Sequence, residues 1–164
     1  MITQIEIMRH DDVIKSIRYM LNFSNAKIAE ILQLGGFNPT RDDLEHIFKD
    51  VDPESEEEKE DVSHELMAHF LDGLIFFKRG KSDKHPPRPI KIPVTNNDVL
   101  KKLRVVFKLR EEQILAILKS ADFRISATEL SALFRDEQHR NYRECGDQLL
   151  RYFLRGLTLK YRRD

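Results

Sequence analysis

The sequence predicts an all-α protein of two tandem four-helix repeats packed with pseudo-two-fold symmetry. Three observations lead there. Apolar residues recur at helical spacing through most of the chain. The run Phe70-Leu71-Asp72-Gly73-Leu74 returns near the end as Phe153-Leu154-Arg155-Gly156-Leu157. Core, capping and charged positions match at one offset over about 40 residues, which is the mark of an internal duplication.

The elements follow in order. Residues 1–7 match nothing in the second half and are read as an N-terminal extension; the first repeat then spans 8–80. Val13, Ile14, Ile17, Met20 and Leu21 form one apolar face of a helix. Adding 86 to each number gives Val99, Leu100, Leu103, Val106 and Phe107, and Asp12, Lys15 and Arg18 likewise become Asp98, Lys101 and Arg104. A second helix repeats Ile28, Ile31 and Leu32 as Ile114, Ile117 and Leu118, and Phe37 then matches Phe123. The third helix begins at Thr40 or Ser126. Ser126 to Glu129 has capping-box form, with Thr40 to Asp43 a weaker version. Leu44, Ile47 and Phe48 return as Leu130, Leu133 and Phe134.

The copies then diverge through an acidic loop, 50–61, and a shorter basic one, 137–143, after which the offset is 83 (Phe70 to Phe153). A fourth helix is expected over about 62–78 and again over about 145–161. Between the copies, residues 81–95 hold four of the six prolines and form a semi-rigid linker; the second repeat spans 96–164, with Asn96 or Asn97 as the expected N-cap. Units of about 70 residues are marginal alone, so the two are expected to pack together.

Composition excludes several functions. No apolar run approaches the roughly 18 residues of a membrane span. No basic region followed by an apolar stretch marks the N-terminus as a secretion signal. One cysteine excludes a disulfide framework and a Cys-rich zinc site, so the cytoplasm is the expected compartment and no cofactor is expected. The zero net charge hides a split. Residues 1–80 hold 9 basic and 17 acidic residues, a balance of −8; the remainder holds 28 − 9 = 19 basic and 28 − 17 = 11 acidic, a balance of +8. Such a split suits homo-oligomers formed head to tail, a polyanion on the basic half, or mutual neutralisation within one molecule.

Glycine inside a helix costs about 0.8–1.0 kcal/mol relative to alanine, so Gly73 and Gly156 need a reason. One reading makes Asp72, Gly73, Arg155 and Gly156 a repeat interface, where the two fourth helices cross and opposite charges pair. The other gives each glycine the task of admitting a neighbour within its own copy.

Cys145 lies where the last helix starts, a place that can lower a thiol pKa, with His139 six residues upstream. No acidic orienter or nucleophile-elbow motif joins them, and a small packing residue is the expected role. The six histidines make no HExxH pair or zinc spacing, and the acidic loop lacks the turn glycine of a calcium site, so no metal site is expected. Arg151, Arg155 and Arg162 fall within about 40° on a helix at 100° per residue. With Arg140 and Arg143 nearby and Tyr142, Tyr152 and Tyr161 interleaved, they form a candidate polyanion-binding face, the alternative being a solvated or internally paired one. A helix-turn-helix is disfavoured by the long link 33–39 and by Asp42, Asp43 and Glu45 on the would-be recognition helix.

The longest motifs are Asn96 to Arg104, Ile114 to Leu118 and Tyr142 to Leu157, with Asp12 to Leu21 and Phe70 to Ile75 in the first copy. In these the chain resembles the bacterial YehS-like family, built from a duplicated helical domain of unknown function, number 1456. The resemblance covers nearly everything from Asp12 onward and implies no reaction. The expected function is therefore a non-enzymatic binding protein with an unknown protein or nucleic-acid partner. RNA or single-strand binding through the basic repeat is the alternative, and a Cys145-dependent enzyme comes last.

Overall fold

The computed structural model describes residues 7–52, 54–80 and 89–162. Most of the expected N-terminal extension (1–6) and of the linker (81–88) lies outside the described residues. The described residues hold eight α-helices and no strand: α1 His10–Leu21, α2 Asn25–Leu34, α3 Arg41–Phe48, α4 His64–Arg79, α5 Asn96–Val106, α6 Glu111–Ser120, α7 Ala127–Leu133 and α8 Asp147–Tyr161. The first four belong to one compact unit, Arg9–Val94, and the last four to a second that includes Thr95–Asp164.

Each unit is built by the same local devices. After α1 and α5 the chain turns through left-handed residues, Asn22 (φ 55°) and Lys108 (φ 54°). The next N–H then closes back on the helix: Phe23 to the Arg18 carbonyl and Leu109 to the Arg104 carbonyl, both at 2.9 Å. After α2 and α6 the positions are Gly36 and Asp122, also at positive φ, with Phe37 and Phe123 closing on Leu32 and Leu118 at 2.9 Å. Four turns at matching positions set the helix directions alike in both repeats.

Helix starts are capped, though not always as expected. Both third helices carry a full capping box, and the Thr40–Asp43 pair (2.9 and 3.0 Å) is tighter than Ser126–Glu129 (3.4 and 3.1 Å). The shorter aspartate is thus no weaker a partner than glutamate. For α5, Thr95 is the N-cap and Asp98 completes the box, not Asn96 or Asn97. The asparagines lie one and two positions later, where their side chains are free for other bonds. Arg9 precedes α1 and offers no side-chain cap. Asp61, from the far end of the acidic loop, accepts the His10 N–H at 2.8 Å and the Asp11 N–H at 3.0 Å instead.

The fourth helix of each unit packs chiefly on the second, α4 on α2 and α8 on α6. Phe70 and Phe153, the aromatics of the repeated motif, are completely buried there. Gly73 and Gly156 explain how the helices approach so closely. A Cβ on Gly73 would collide with the Ile31 carbonyl of α2, and one on Gly156 with the Ile117 carbonyl of α6. Each glycine is accounted for inside its own repeat, so a crossing of fourth helices is not needed to explain it. At the periphery Arg18 lies over the Phe48 ring (4.5 Å) and Arg104 over the Phe134 ring (4.6 Å), so the repeated charged face also covers half-buried aromatics.

Candidate functional site

Asp11 and Asn97 are both almost fully buried, 1% and 3% exposed, and 11 + 86 = 97 makes them equivalent positions. Asn97 donates through Nδ2 to the Leu133 carbonyl (3.0 Å) and the Arg143 carbonyl (2.9 Å), and its Oδ1 accepts the Cys145 N–H (2.8 Å). A neutral amide thus satisfies three backbone groups. Asp11 has no N–H to give, and the first repeat solves the same problem with cations. Lys59 inserts its ammonium between the Asp11 carboxylate (3.2 Å) and the Ile47 carbonyl (3.0 Å), Ile47 being the counterpart of Leu133. Arg9 grips the same carboxylate through Nε (3.0 Å) and Nη2 (2.8 Å).

Burial by itself would raise the Asp11 carboxyl, but the bonds from Arg9 and Lys59 outweigh it and hold the group below its usual range. Burial draws the Lys59 ammonium the other way, below its ordinary value, against the pull of Asp11. The Asp11 direction decides, because Arg9 keeps the carboxylate ionised whichever way Lys59 settles. This triad borders a cleft of about 370 Å³ whose wall also includes Lys15, Lys49 and Asp50. Beside it, His64 Nδ1 accepts the Val94 N–H at 3.0 Å and lies 3.0 Å from His10 Nε2.

The five arginines of the second repeat are placed less uniformly than helical spacing implies. Arg151 and Arg155 are on α8, Arg162 is the residue just past it in extended conformation, and Arg140 and Arg143 precede it. Arg140, Arg143 and Arg155 are exposed. Arg143 stands 3.8 Å from Glu129, Arg151 bonds Gln148 at 3.0 Å, and Arg155 lies over Tyr152, 5.0 Å from the ring centroid. The tyrosines are already engaged: Tyr152 stacks on Phe123 (5.3 Å) and Tyr161 on Phe107 (4.6 Å). That leaves charge, rather than stacking, as what this face offers. Asp72, the expected partner of Arg155, is half-buried on α4.

Cys145 is buried ahead of α8, and its thiol is pushed up to about 12 by burial first and by Asp147 second. The helix N-terminus does not produce a thiolate, because desolvation dominates. His139 Nδ1 accepts the Asn141 N–H at 3.0 Å, a turn contact within its own loop. No group of three or more potential metal ligands occurs among the described residues.

Comparison with known proteins places the chain. The family model described as protein of unknown function (DUF1456) matches twice, over residues 10–80 and 96–163. The chain belongs to this family. The two DUF1456 matches correspond to the two four-helix units, so the repeat seen in the fold is also the unit of the family. The chain is 40% identical to the uncharacterized protein YehS of Escherichia coli (strain K12) over 153 residues, 93% of this chain and 96% of that one. No solved structure matches it. No helix among the described residues is long and apolar enough to cross a membrane.

The charged triad of the first DUF1456 repeat escaped sequence reasoning. Asp11 sits in a helical first turn, where an acidic residue is ordinary, and Lys59 sits inside a run of glutamates. The one available signal was the Asp11/Asn97 equivalence at offset 86.

Proposed function

We propose that this DUF1456 protein is a non-enzymatic binding protein of the cytoplasm that uses the cationic surface of its second repeat to hold a polyanionic partner. The observation that carries the reading is the charge split between equivalent units: +8 in residues 81–164 against −8 in 1–80. Exposed Arg140, Arg143 and Arg155 are the contacts, with Arg151 and Arg162 flanking them. Burial of Cys145 and its raised thiol favour binding over nucleophilic catalysis.

Single-stranded RNA is the narrower reading, with arginine-to-phosphate contacts as its basis. Fluorescence anisotropy of labelled RNA, single-stranded DNA and duplex DNA at two salt concentrations tests it. Micromolar binding that weakens steeply with salt, and weakens further in Arg151→Glu/Arg155→Glu, is the expected result. Absence of binding at low salt removes nucleic acid. Salt-dependent self-association in sedimentation would then assign the charge split to head-to-tail oligomers.

A further inference from the structure

The duplication supplies an internal control that points to a second site, in the first repeat. At one structural position the second repeat uses Asn97, a neutral amide, to satisfy buried backbone groups. The first uses an Asp11–Lys59–Arg9 triad, with Lys59 and Asp11 side chains only 7% and 1% exposed. Burying ions is the costlier solution, and replacement of such groups by neutral ones is often neutral or stabilising. The fold therefore does not require charge here, since its own second copy does without it. The triad borders a cleft.

We propose that this cleft, between the start of α1 and residues 49–51, binds a small organic oxyanion, a phosphate or carboxylate of metabolite size. Two cations share the single Asp11 carboxylate, so the wall carries a positive excess at its buried end. Lys15 is only loosely held, at 3.4 Å from both the Lys49 carbonyl and the Asp50 carboxylate, and Asp50 is almost wholly exposed. An entering oxyanion takes Lys15 from these weak partners and recruits Lys49, whose own ion pair with Glu57 spans 3.8 Å. Asp12, also on the wall, disfavours a densely charged polyanion and accepts a hydroxyl or ammonium from the same ligand. A cleft of about 370 Å³ fits a metabolite and no macromolecule.

Inorganic phosphate is the probe, titrated against the whole protein at constant ionic strength with chloride as balance. Expected is a rise in Tm of about 2–4 °C with phosphate a few-fold above its Kd, growing with the logarithm of concentration beyond that. NMR should show shifts in the amides of Lys15 and 49–51. Lys15→Ala/Lys49→Ala should weaken the effect at least tenfold; Lys101→Ala/Arg135→Ala, at the equivalent positions of the second repeat, should leave it unchanged. Lys49→Gln alone, at a largely exposed position, serves where the double variant does not fold. Amide shifts at Lys15 and 49–51 that grow linearly with phosphate without saturating, or a Tm rise lost equally in both double variants, overturn the proposal.

Discussion

Asn97 Oδ1 accepts the Cys145 N–H at 2.8 Å, tying the first turn of α5 to the residue ahead of the α8 cap across 48 positions of sequence. Its amide meanwhile holds the Leu133 and Arg143 carbonyls. Asn97→Ala strands one buried donor and two acceptors. Each stranded group costs about 1–3 kcal/mol, reduced where water reaches the exposed Arg143 end, so a total loss of about 2–4 kcal/mol is expected. Urea denaturation measures it. A loss below about 0.5 kcal/mol would mean that water replaces the amide without penalty.

Gly73→Ala and Gly156→Ala gain about 1 kcal/mol of helix propensity yet should destabilise. The new methyl meets a backbone carbonyl, Ile31 or Ile117, which cannot rotate aside as a side chain would. Either the helices part or the backbone bends, at a net cost of about 1–3 kcal/mol. Thermal unfolding of each variant checks this, and an unchanged or higher Tm would show that the pairing yields easily.

These glycines show what the sequence made legible and what it withheld. A residue unfavourable in a helix, repeated after Phe-Leu in both copies, announced close approach, and apolar periodicity placed all eight helices nearly correctly. Periodicity says nothing about which helix a face meets, so the partner carbonyls on α2 and α6 were not readable. Thr95 caps α5 although Asn96 and Asn97, one and two residues on, carry side chains that cap as readily. The Asp61 cap was hidden because its target helix lies some fifty residues upstream.

Cys145 should resist alkylation. Its thiol is buried and raised to about 12, so the thiolate is scarce at neutral pH and access is poor besides. Iodoacetamide labelling followed by mass spectrometry should proceed in proportion to unfolding, rising with urea. Cys145→Ala keeps the backbone N–H that Asn97 needs and should cost about 1 kcal/mol. Fast labelling of the native protein would contradict the burial and reopen the nucleophile reading.

Mild acid should loosen the first repeat before it touches the second. Burial holds His10 below the usual histidine value; neighbouring His64 adds to this, and Asp61 and Asp11 oppose it. A depressed histidine binds its proton more readily when unfolded, so stability falls as pH drops below the ordinary 6.5, and the loss levels off only once pH passes the folded value. The hydrogen bonds agree. The Val94 N–H donates to His64 Nδ1, which therefore carries no proton, and His10 bonds to that nitrogen by donating from Nε2. Asp11 acts in a separate, lower window. Its carboxyl is held below the ordinary 3.8, so its contribution persists above that value and is lost as pH falls through the folded one. Urea midpoints at pH 7.5 and pH 5.5 isolate the histidine effect. His10→Asn, which installs the residue found at the equivalent Asn96, should flatten the acid dependence between those values, and an unchanged slope would assign it to other groups.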